Sequence, residues 1–431
     1  MQLQKQRRVP RHLVSDVFVD NGRSYIDMIE LNDGASIDPE KATNLSRTRR
    51  VVDVEDLKDQ LSASNPAVRV AAISQKYSWS PLQISEEMFE SFMDHVEAFD
   101  GLRDTAISFR SRTTDLEQAL PICTWRDQSP IRELSYIIKY AETKVCDAEK
   151  TDWVIRQIGM YQHFNSKTRS TVWMVILPNQ ESYCPDTMCN IFGLVKHPLC
   201  PHIDNLFNHL DNWRWYMADH EQRFQDLAES VMNVEIEETL DFVAMYDQLS
   251  GLRYVQSRIA PLIPIFAGYH QILQRLRIFN EQLLASGYVV KDDSHSFTSS
   301  LEDITSKVQS FEVNAQFLLS RVAHTIQMAS DTITLKSQNN TEDMSNNMLK
   351  DSLAMRIITL VTLVFLPGTF VSGFFGMGFF TIDSDDGGKW VISPQLWVYF
   401  AAAIPVTALT LAFWRWRNRR AKAKRFSSSP V

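Results

Sequence analysis

Two long segments near the C-terminus contain no charged residue, and they constrain the fold of this chain more than any other feature. The first lies between Arg356 and Asp383, and the second lies between Lys389 and Arg415. A helix needs about 20 apolar residues to cross a bilayer, and each segment is longer than that. Aromatic residues of the kind found at membrane interfaces occur near their ends: Trp390, Trp397, Tyr399, Trp414 and Trp416. The sequence therefore predicts two membrane-spanning helices rather than two buried helices of a soluble protein.

Basic residues after the second segment predict the orientation of these helices. They are Arg415, Arg417, Arg419, Arg420, Lys422, Lys424 and Arg425, with no acidic residue among them. Basic flanks belong on the cytosolic side, so the link between the helices, with Asp383, Asp385, Asp386 and Lys389, lies outside. Both termini are then cytosolic, in a membrane that the sequence does not identify. The chain as a whole has a formal net charge of −8, so the part before this basic tail is acidic. An acidic body argues against a nucleic-acid partner, and the basic tail fits a position on anionic lipid.

Residues 1–205 are predicted to form a cytosolic α/β domain. Runs rich in β-branched and aromatic residues predict strands at 24–31, 68–74, 105–109, 134–140 and 171–178. The last run is nearly all apolar, as a strand covered on both faces would be. Between the runs, residues 85–99 predict a helix with Ser85 as its N-cap and two glutamates in its first turn. Strands alternating with helices indicate a sheet with helices packed on it.

Residues 206–350 are predicted to be helical, with breaks near Gly251 and at Pro261 and Pro264. From Phe297 to Leu366 the chain contains no proline or glycine. One helix of about 70 residues would be about 105 Å long, so we expect a stalk that leads into the first membrane segment. The remaining predicted parts are a transmembrane hairpin at 351–415 and a basic cytosolic tail at 416–431.

Apolar residues recur along the predicted stalk helix at steps of mainly three and four. They are Leu301, Ile304, Val308, Phe311, Ala315, Leu318, Val322, Ile326, Ala329 and Ile333. We refer to this row as the stalk seam. A heptad-like seam needs partner helices, so the sequence predicts that the chain assembles with copies of itself.

Two groups of residues have the donor atoms that metal ions use. The first group is Cys184, Cys189, His197, Cys200 and His202, which have suitable ligand types for zinc but irregular spacing and no C-x₂-C pair. We favour buried thiols and surface histidines in loops there. The chain has five cysteines, an odd number that favours reduced thiols. The second group is Glu235, Glu237, Glu238 and Asp241, which we favour as a solvated face over a divalent-ion site.

The first membrane segment has a stripe of hydroxyl residues along roughly one helical face. These residues, called the hydroxyl stripe here, are Thr359, Thr362, Thr369 and Ser372. Such residues either pack membrane helices together or line a pore. The helix with the stripe continues the helix with the stalk seam, which favours a ring of helices with the stripe facing inward. Met355, Ile358 and Leu366 on neighbouring turns would then form a gate that excludes water.

The membrane hairpin resembles the CorA superfamily of divalent-cation channels and transporters. The resemblance rests on FLPGTFVSGFFGM at 365–377, the short acidic outer link, the second span and the basic tail, about the last quarter of the chain. The stalk supports it, and the α/β part matches in class. DWVIRQIGMYQHF at 152–164 resembles a eukaryotic, fungal branch. The family hallmark is Gly-Met-Asn at the outer end of the first span, and here Gly376 and Met377 are followed by Gly378.

The resemblance implies a homopentamer that passes hydrated Mg²⁺ along the first-span helices, with no covalently bound cofactor. It implies that Gly376, Met377 and Gly378 form the outer mouth and hold the hydrated ion transiently. Asp383, Asp385 and Asp386 would raise the cation concentration there. Because Gly378 offers only a backbone carbonyl, the alternative is a non-conducting scaffold or sensor that has lost the selectivity asparagine. An enzyme is not expected, since no nucleophile motif such as G-x-S-x-G is present.

Overall fold

A computed structural model describes residues 16–31, 49–63, 65–112, 119–147, 150–179, 197–232, 242–375, 380–382, 390–392 and 396–426. The chain divides into two compact units, Met1–Asp331 and Thr332–Val431. The strands are β1 Ile26–Leu31, β2 Arg49–Val51, β3 Val68–Ser74, β4 Ile122–Gln128, β5 Ile131–Asp147, β6 Lys150–Asn165, β7 Ser170–Leu177, β8 Phe380–Ile382 and β9 Trp390–Ile392. The helices are α1 Val54–Ala63, α2 Glu86–Val96, α3 Asp100–Ile107, α4 Cys200–Leu210, α5 Asn212–Met232, α6 Phe242–Ile259, α7 Leu262–Ala285, α8 Lys291–Phe375 and α9 Leu396–Phe426.

The first unit is built on one mixed sheet with helices on both faces. Its strand order is β2-β1-β3-β7-β6-β5-β4. Only β3 and β7 pair in parallel among these strands, and the other neighbours are antiparallel. On one face, Met174 and Ile176 of β7 join a buried cluster with α1, α2 and α3. On the other face, Trp173 contacts His202 of α4. The predicted α/β class is therefore confirmed.

Four of the five predicted strands are confirmed and one is wrong. Runs 24–31, 68–74, 134–140 and 171–178 correspond to β1, β3, part of β5 and β7. The run 105–109 instead ends helix α3, where Leu102, Thr105 and Ala106 are buried at helical spacing. The Thr105 hydroxyl donates to the Gly101 carbonyl one turn earlier, at 3.0 Å. Tertiary packing of this helical face outweighs the β-propensity of threonine, isoleucine and phenylalanine.

The predicted helix after Ser85 is confirmed as α2, together with its N-cap. The Ser85 hydroxyl accepts a hydrogen bond from the Met88 amide at 3.3 Å. Phe89, Phe92 and Met93 are buried on the face that packs on the sheet. The cap therefore fixes the start of a helix that fills the core of the first unit.

Replacing Ser85 with alanine should destabilise the first unit by about 1 kcal/mol, because one helix-terminal amide loses its acceptor. For a domain of this size we expect the melting temperature to fall by about 2 °C. Thermal unfolding of the full-length protein, followed by near-UV circular dichroism, measures the change. Ser91→Ala in the same helix is the control, since the Ser91 hydroxyl donates to the Glu87 carbonyl one turn earlier and does not cap the helix start. Equal shifts for both variants would contradict a capping role.

The predicted breaks in the helical region need two corrections. Helix α6 runs through Gly251, and a Cβ there would lie 3.0 Å from the Leu227 side chain of α5. Glycine thus allows α5 and α6 to approach closely instead of ending a helix. Pro264 lies in the first turn of α7, where the missing amide hydrogen has no helical acceptor to lose. Only the break at Pro261, which precedes α7, is as predicted.

The long uninterrupted helix is confirmed, but the interpretation of its seam is wrong. Helix α8 has 85 residues and extends beyond the predicted end, through Pro367. Leu301, Val308 and Leu318 are buried within a single chain. Within the first unit, Phe266 of α7 lies 6.3 Å from the ring of Phe311. The seam therefore has partner helices in its own chain and gives no independent support for self-assembly.

Ion pairs and hydrogen bonds fix the same helix on its neighbours in the first unit. Lys307 pairs with Asp211 at 3.1 Å, and Arg321 pairs with Glu221 of α5 at 2.7 Å. His270 of α7 lies 3.0 Å from Glu312. These exposed or half-exposed contacts contribute little each, so the buried seam supplies most of the packing energy.

The second unit contains the end of α8, strands β8 and β9, and helix α9. The two strands pair antiparallel, with Phe380 opposite Ile392 and Ile382 opposite Trp390. Two helices, one within α8 and one within α9, are long and apolar enough to cross a membrane. Their apolar stretches are almost entirely exposed in the single chain. This matches the predicted pair of apolar C-terminal helices, with a short strand pair in the connection that the sequence did not predict.

Candidate functional site

One face of the first apolar helix packs on α9. Pro367 and Val371 are buried on this face, and Leu363 is half-buried one turn earlier. On α9, Ala403 is buried, and the Tyr399 hydroxyl donates to the Gly368 carbonyl at 3.3 Å. The sequence indicates Tyr399 only as an aromatic residue at the membrane interface, and no spacing in the sequence connects it to Gly368. The packed face of the helix is thus defined by Leu363, Pro367 and Val371.

Thr362, Thr369 and Ser372 of the hydroxyl stripe lie on the opposite side of that helix, whereas Thr359 lies one turn before Leu363 on the row of the packed face. Thr359, Thr362, Thr369 and Ser372 are exposed in the single chain. At about 100° per residue, Thr362 and Thr369 lie about 140° and 160° around the helix from Pro367. The stripe therefore takes no part in the contact between the two apolar helices of one chain.

Every hydroxyl of the stripe donates to the backbone of its own helix. Thr359 bonds the Met355 carbonyl at 2.7 Å, and Thr362 bonds the Ile358 carbonyl at 2.8 Å. Thr369 and Ser372 bond the carbonyls of Leu366 and Thr369 at 3.0 and 2.9 Å. A hydroxyl has one hydrogen and two lone pairs, so each oxygen keeps acceptor capacity. The exposed face of the helix presents hydrogen-bond acceptors rather than donors.

The proposed gate residues lie on the same face as the stripe. Met355, Ile358 and Leu366 are 66%, 61% and 64% exposed in the single chain. Ile358, Thr362 and Leu366 follow one another at intervals of four, so they form one row along the helix. The face therefore alternates apolar side chains with hydroxyl groups along the helix.

The predicted outer mouth and acidic link lie outside the described residues. These are Gly376, Met377, Gly378, Asp383, Asp385 and Asp386. Strand β8 begins two residues after Gly378, and strands β8 and β9 flank the acidic link in the sequence. The roles assigned to these six residues stay predictions.

The histidines of the predicted zinc group are buried and fully engaged, not exposed as expected. His202 Nδ1 lies 2.8 Å from the Tyr136 hydroxyl, and its Nε2 lies 2.9 Å from Gln162 Oε1. His197 Nε2 lies 2.9 Å from Asn280 Oδ1, and its Nδ1 accepts from the Leu199 amide. Both nitrogens of each ring thus have protein partners. Burial lowers the pKa of His202 to about 3, so this ring is neutral.

The other predicted metal ligands give no cluster in the described part of the chain. Cys200 begins α4, and burial raises the pKa of its thiol to about 11, so the thiolate is disfavoured. Cys184, Cys189, Glu235, Glu237, Glu238 and Asp241 lie outside the described residues. Among the described residues, no group of three or more His, Cys, Asp or Glu could hold a metal ion. The interpretation of His197 and His202 as structural residues is the one that their contacts favour.

Comparison with protein families gives a match for each of two regions. Residues 1–182 match the family model described as CorA-like transporters, and residues 236–415 match the model described as CorA-like Mg²⁺ transporter protein. This chain carries CorA-like transporter domains. The CorA-like region 236–415 includes both apolar helices and the hydroxyl stripe. The prediction that the chain is not an enzyme is confirmed, since both CorA-like descriptions are of transporters.

Individual relatives of this CorA-like chain are distant or partial. Notoamide biosynthesis cluster protein M′ from Aspergillus versicolor is 35% identical over 97 residues, which are 20% of this chain and 21% of that protein. The chain thus spans about a fifth of this curated relative. The full-length CmaX structure has a TM-score of 0.41 at 13% identity, over 92% of this chain and 97% of CmaX. The ZntB cytoplasmic domain from Vibrio parahaemolyticus has a TM-score of 0.36 at 6% identity, over 70% and 98%. These structural likenesses are too weak to indicate function.

Proposed function

We propose that this chain is a divalent-cation transporter or channel of CorA type, with Mg²⁺ as its ion and a homopentamer as its assembly. The observation that carries the proposal is the exposed face of the first apolar helix, on which Thr362 and Thr369 alternate with apolar residues. This face is turned away from α9. A ring of copies can therefore bring the faces together around a path while each α9 lies outside it.

The chemistry of this face suits an ion that keeps its water. Mg²⁺ loses its hydration shell reluctantly, so a wall must bind the ion through the hydrogens of its waters. The stripe hydroxyls already donate to their own backbone, which leaves oxygen lone pairs for those hydrogens. Met355, Ile358 and Leu366 would close the same path by excluding water.

The outer end of the path stays a proposal taken from the family resemblance. Gly376, Met377 and Gly378 would form the mouth, and a transient hydrated ion would rest on their backbone. Asp383, Asp385 and Asp386 would raise the local cation concentration and so the entry rate, an effect that salt screens. The matched fungal relative agrees with the proposed fungal branch.

The proposed topology places both termini and the first unit in the cytosol. It rests on the basic residues that follow Phe413, of which Arg415 and Arg417 are exposed on α9. Two apolar helices and the matched transporter domains support an integral membrane protein. The acidic link would be the part that faces outward.

The second candidate is a non-conducting CorA-fold scaffold or sensor. The observation that favours it is Gly378, which stands where the family has asparagine. Glycine has no side-chain carbonyl, so the mouth would lose an acceptor for the waters of the ion. Transport and scaffolding differ in one measurable property, which is whether Mg²⁺ crosses a membrane through the purified protein.

Replacing Thr362 and Thr369 together with valine should lower Mg²⁺ flux at least about tenfold. Valine keeps the shape of threonine but removes the acceptor oxygen. Each lost hydrogen bond costs about 1 kcal/mol, so the two together exceed the roughly 1.4 kcal/mol that corresponds to a tenfold change in rate. Flux into proteoliposomes with an enclosed Mg²⁺-sensitive dye measures the effect at matched protein content.

Thr407→Val is the control for this double variant. Thr407 lies in α9, is half-buried and donates to the Ala403 carbonyl at 2.8 Å, so it makes the same kind of bond away from the stripe. We expect its flux to equal that of the parent. Equal losses in the double variant and in Thr407→Val would contradict the stripe as the path, and a parent without flux would favour the scaffold.

A further inference from the structure

A groove between the two apolar helices of the second unit has an apolar floor and a positive end. Its volume is about 450 Å³. It is lined by Leu363 of α8 and by Val406, Leu409, Thr410, Phe413, Trp414 and Arg417 of α9. Arg417 is the last of these lining residues along α9, so the guanidinium lies at one end of the groove. We call this the α9 groove.

The length of the α9 groove matches one leaflet of a bilayer. Its lining on α9 recurs at Val406, Thr410, Phe413 and Arg417, which form one stripe at helical spacing. Eleven residues of helix separate the first from the last of these, or about 16 Å. Half of the hydrocarbon core of a bilayer is about 15 Å thick. A groove that begins at mid-membrane depth and ends at a cation has the dimensions of one acyl chain and its headgroup.

The charge at its end selects the headgroup. The Arg417 side chain is exposed, and its own helix contains no acidic residue. An arginine binds a phosphate through two parallel hydrogen bonds, and Trp414 beside it has the amphipathic ring that interfaces favour. A second copy of the chain fits less well, because α9 contains no acidic residue that could pair with Arg417 in a contact between two copies of this helix.

We propose that the α9 groove binds an anionic phospholipid, with one acyl chain along Leu363, Leu409 and Phe413 and the phosphate on Arg417. The proposal requires that the two helices cross a membrane, but it does not depend on ion conduction. It differs from a general attraction of the basic tail to anionic lipid, because it assigns binding to one arginine and one apolar groove. Arg415 belongs to the same tail but lies on the opposite side of α9, about 180° from Val406, and does not line the groove.

The test is lipid retention by the full-length protein, measured by native mass spectrometry from detergent with added phosphatidylglycerol or phosphatidylcholine. We expect the parent to retain phosphatidylglycerol preferentially. Arg417→Gln should weaken its retention about tenfold, and the matched control Arg415→Gln should leave it within about twofold. Leu409→Trp, which fills the groove, should weaken retention while the basic tail remains intact.

Three results would overturn the proposal. Equal losses in the two arginine variants would assign binding to the tail as a whole. Equal retention of both lipids by the parent would remove the role of the headgroup charge. Loss of self-association in Leu409→Trp, with phosphatidylglycerol still bound, would show that a second copy occupies the groove. Because Mg²⁺ flux is not measured, failure of the transport proposal would leave these results unaffected.

Discussion

Val308→Asp is expected to destabilise the first unit by about 3 kcal/mol or more. Val308 is 0% exposed and lies in the stalk seam, which packs on helices of its own chain. The substitution removes a buried apolar side chain and places a carboxylate among apolar neighbours, at a cost of about 3 kcal/mol or more. A domain is stable by about 5–15 kcal/mol in total, so this is a large share. Thermal unfolding of the full-length protein in detergent, followed by intrinsic fluorescence, would show a melting temperature lower by about 5 °C or more.

Val313→Asp is the matched control for this prediction. Val313 lies five residues later in α8 and is 59% exposed, so aspartate there remains in water. Its melting temperature should stay within about 1 °C of the parent, because isolated surface substitutions change stability by about 0.5 kcal/mol at most. The opposite pattern, in which Val308→Asp keeps the melting temperature but dissociates an oligomer, would restore the seam as a contact between subunits.

Leu366→Ala is expected to raise the resting Mg²⁺ leak of the reconstituted protein about tenfold. Leu366 lies between Thr362 and Thr369 on the exposed face of the first apolar helix. In the proposed ring these side chains converge, and an apolar constriction holds back water and ions. Truncation removes apolar surface equivalent to about 2 kcal/mol for each copy. Lowering the barrier to ion passage by about 1.4 kcal/mol already raises the rate tenfold. Dye-loaded proteoliposomes report the leak as the initial rate after addition of Mg²⁺.

Val364→Ala tests whether any loss of apolar volume in this helix has the same effect. Val364 is also exposed but lies two residues earlier, about 160° around the helix. We expect its leak to match the parent. If both variants leak equally, the helix has been loosened in general. If the parent conducts and Leu366→Ala leaves the leak unchanged, the constriction lies elsewhere.

The sequence predicts an element correctly where its local pattern matches the way that the element is buried in the fold. The run 171–178 is apolar at nearly every position, and β7 is buried on both faces of the sheet. Ser85 combines a capping side chain with glutamates and an apolar face, and each of these features has its expected role in α2. The charge-free segments predicted two apolar helices, because length and lack of charge are properties that the bilayer itself demands.

The errors have a common physical origin, which is that a sequence does not say what covers a surface. The stalk seam predicts partners correctly but cannot distinguish α5 and α7 of the same chain from helices of another copy. The run 105–109 has strand propensity, yet its neighbours bury it as a helix. Glycine often ends a helix, but Gly251 lies within α6 and allows a close contact with Leu227. The hydroxyl stripe was found from spacing, whereas Tyr399 and the α9 groove depend on two helices meeting and have no local signal.

The direction of the stripe's hydrogen bonds has a consequence for the sign of the charge that a path can carry. A hydrated cation turns water hydrogens outward and needs acceptors, whereas a hydrated anion turns water oxygens outward and needs donors. Because Thr359, Thr362, Thr369 and Ser372 use their hydrogens on their own helix, a wall formed by them would favour the first kind of shell. No charged residue lies between Arg356 and Asp383, and hydroxyl groups do not titrate near neutral pH. A preference for cations built in this way would persist unchanged as the pH varies.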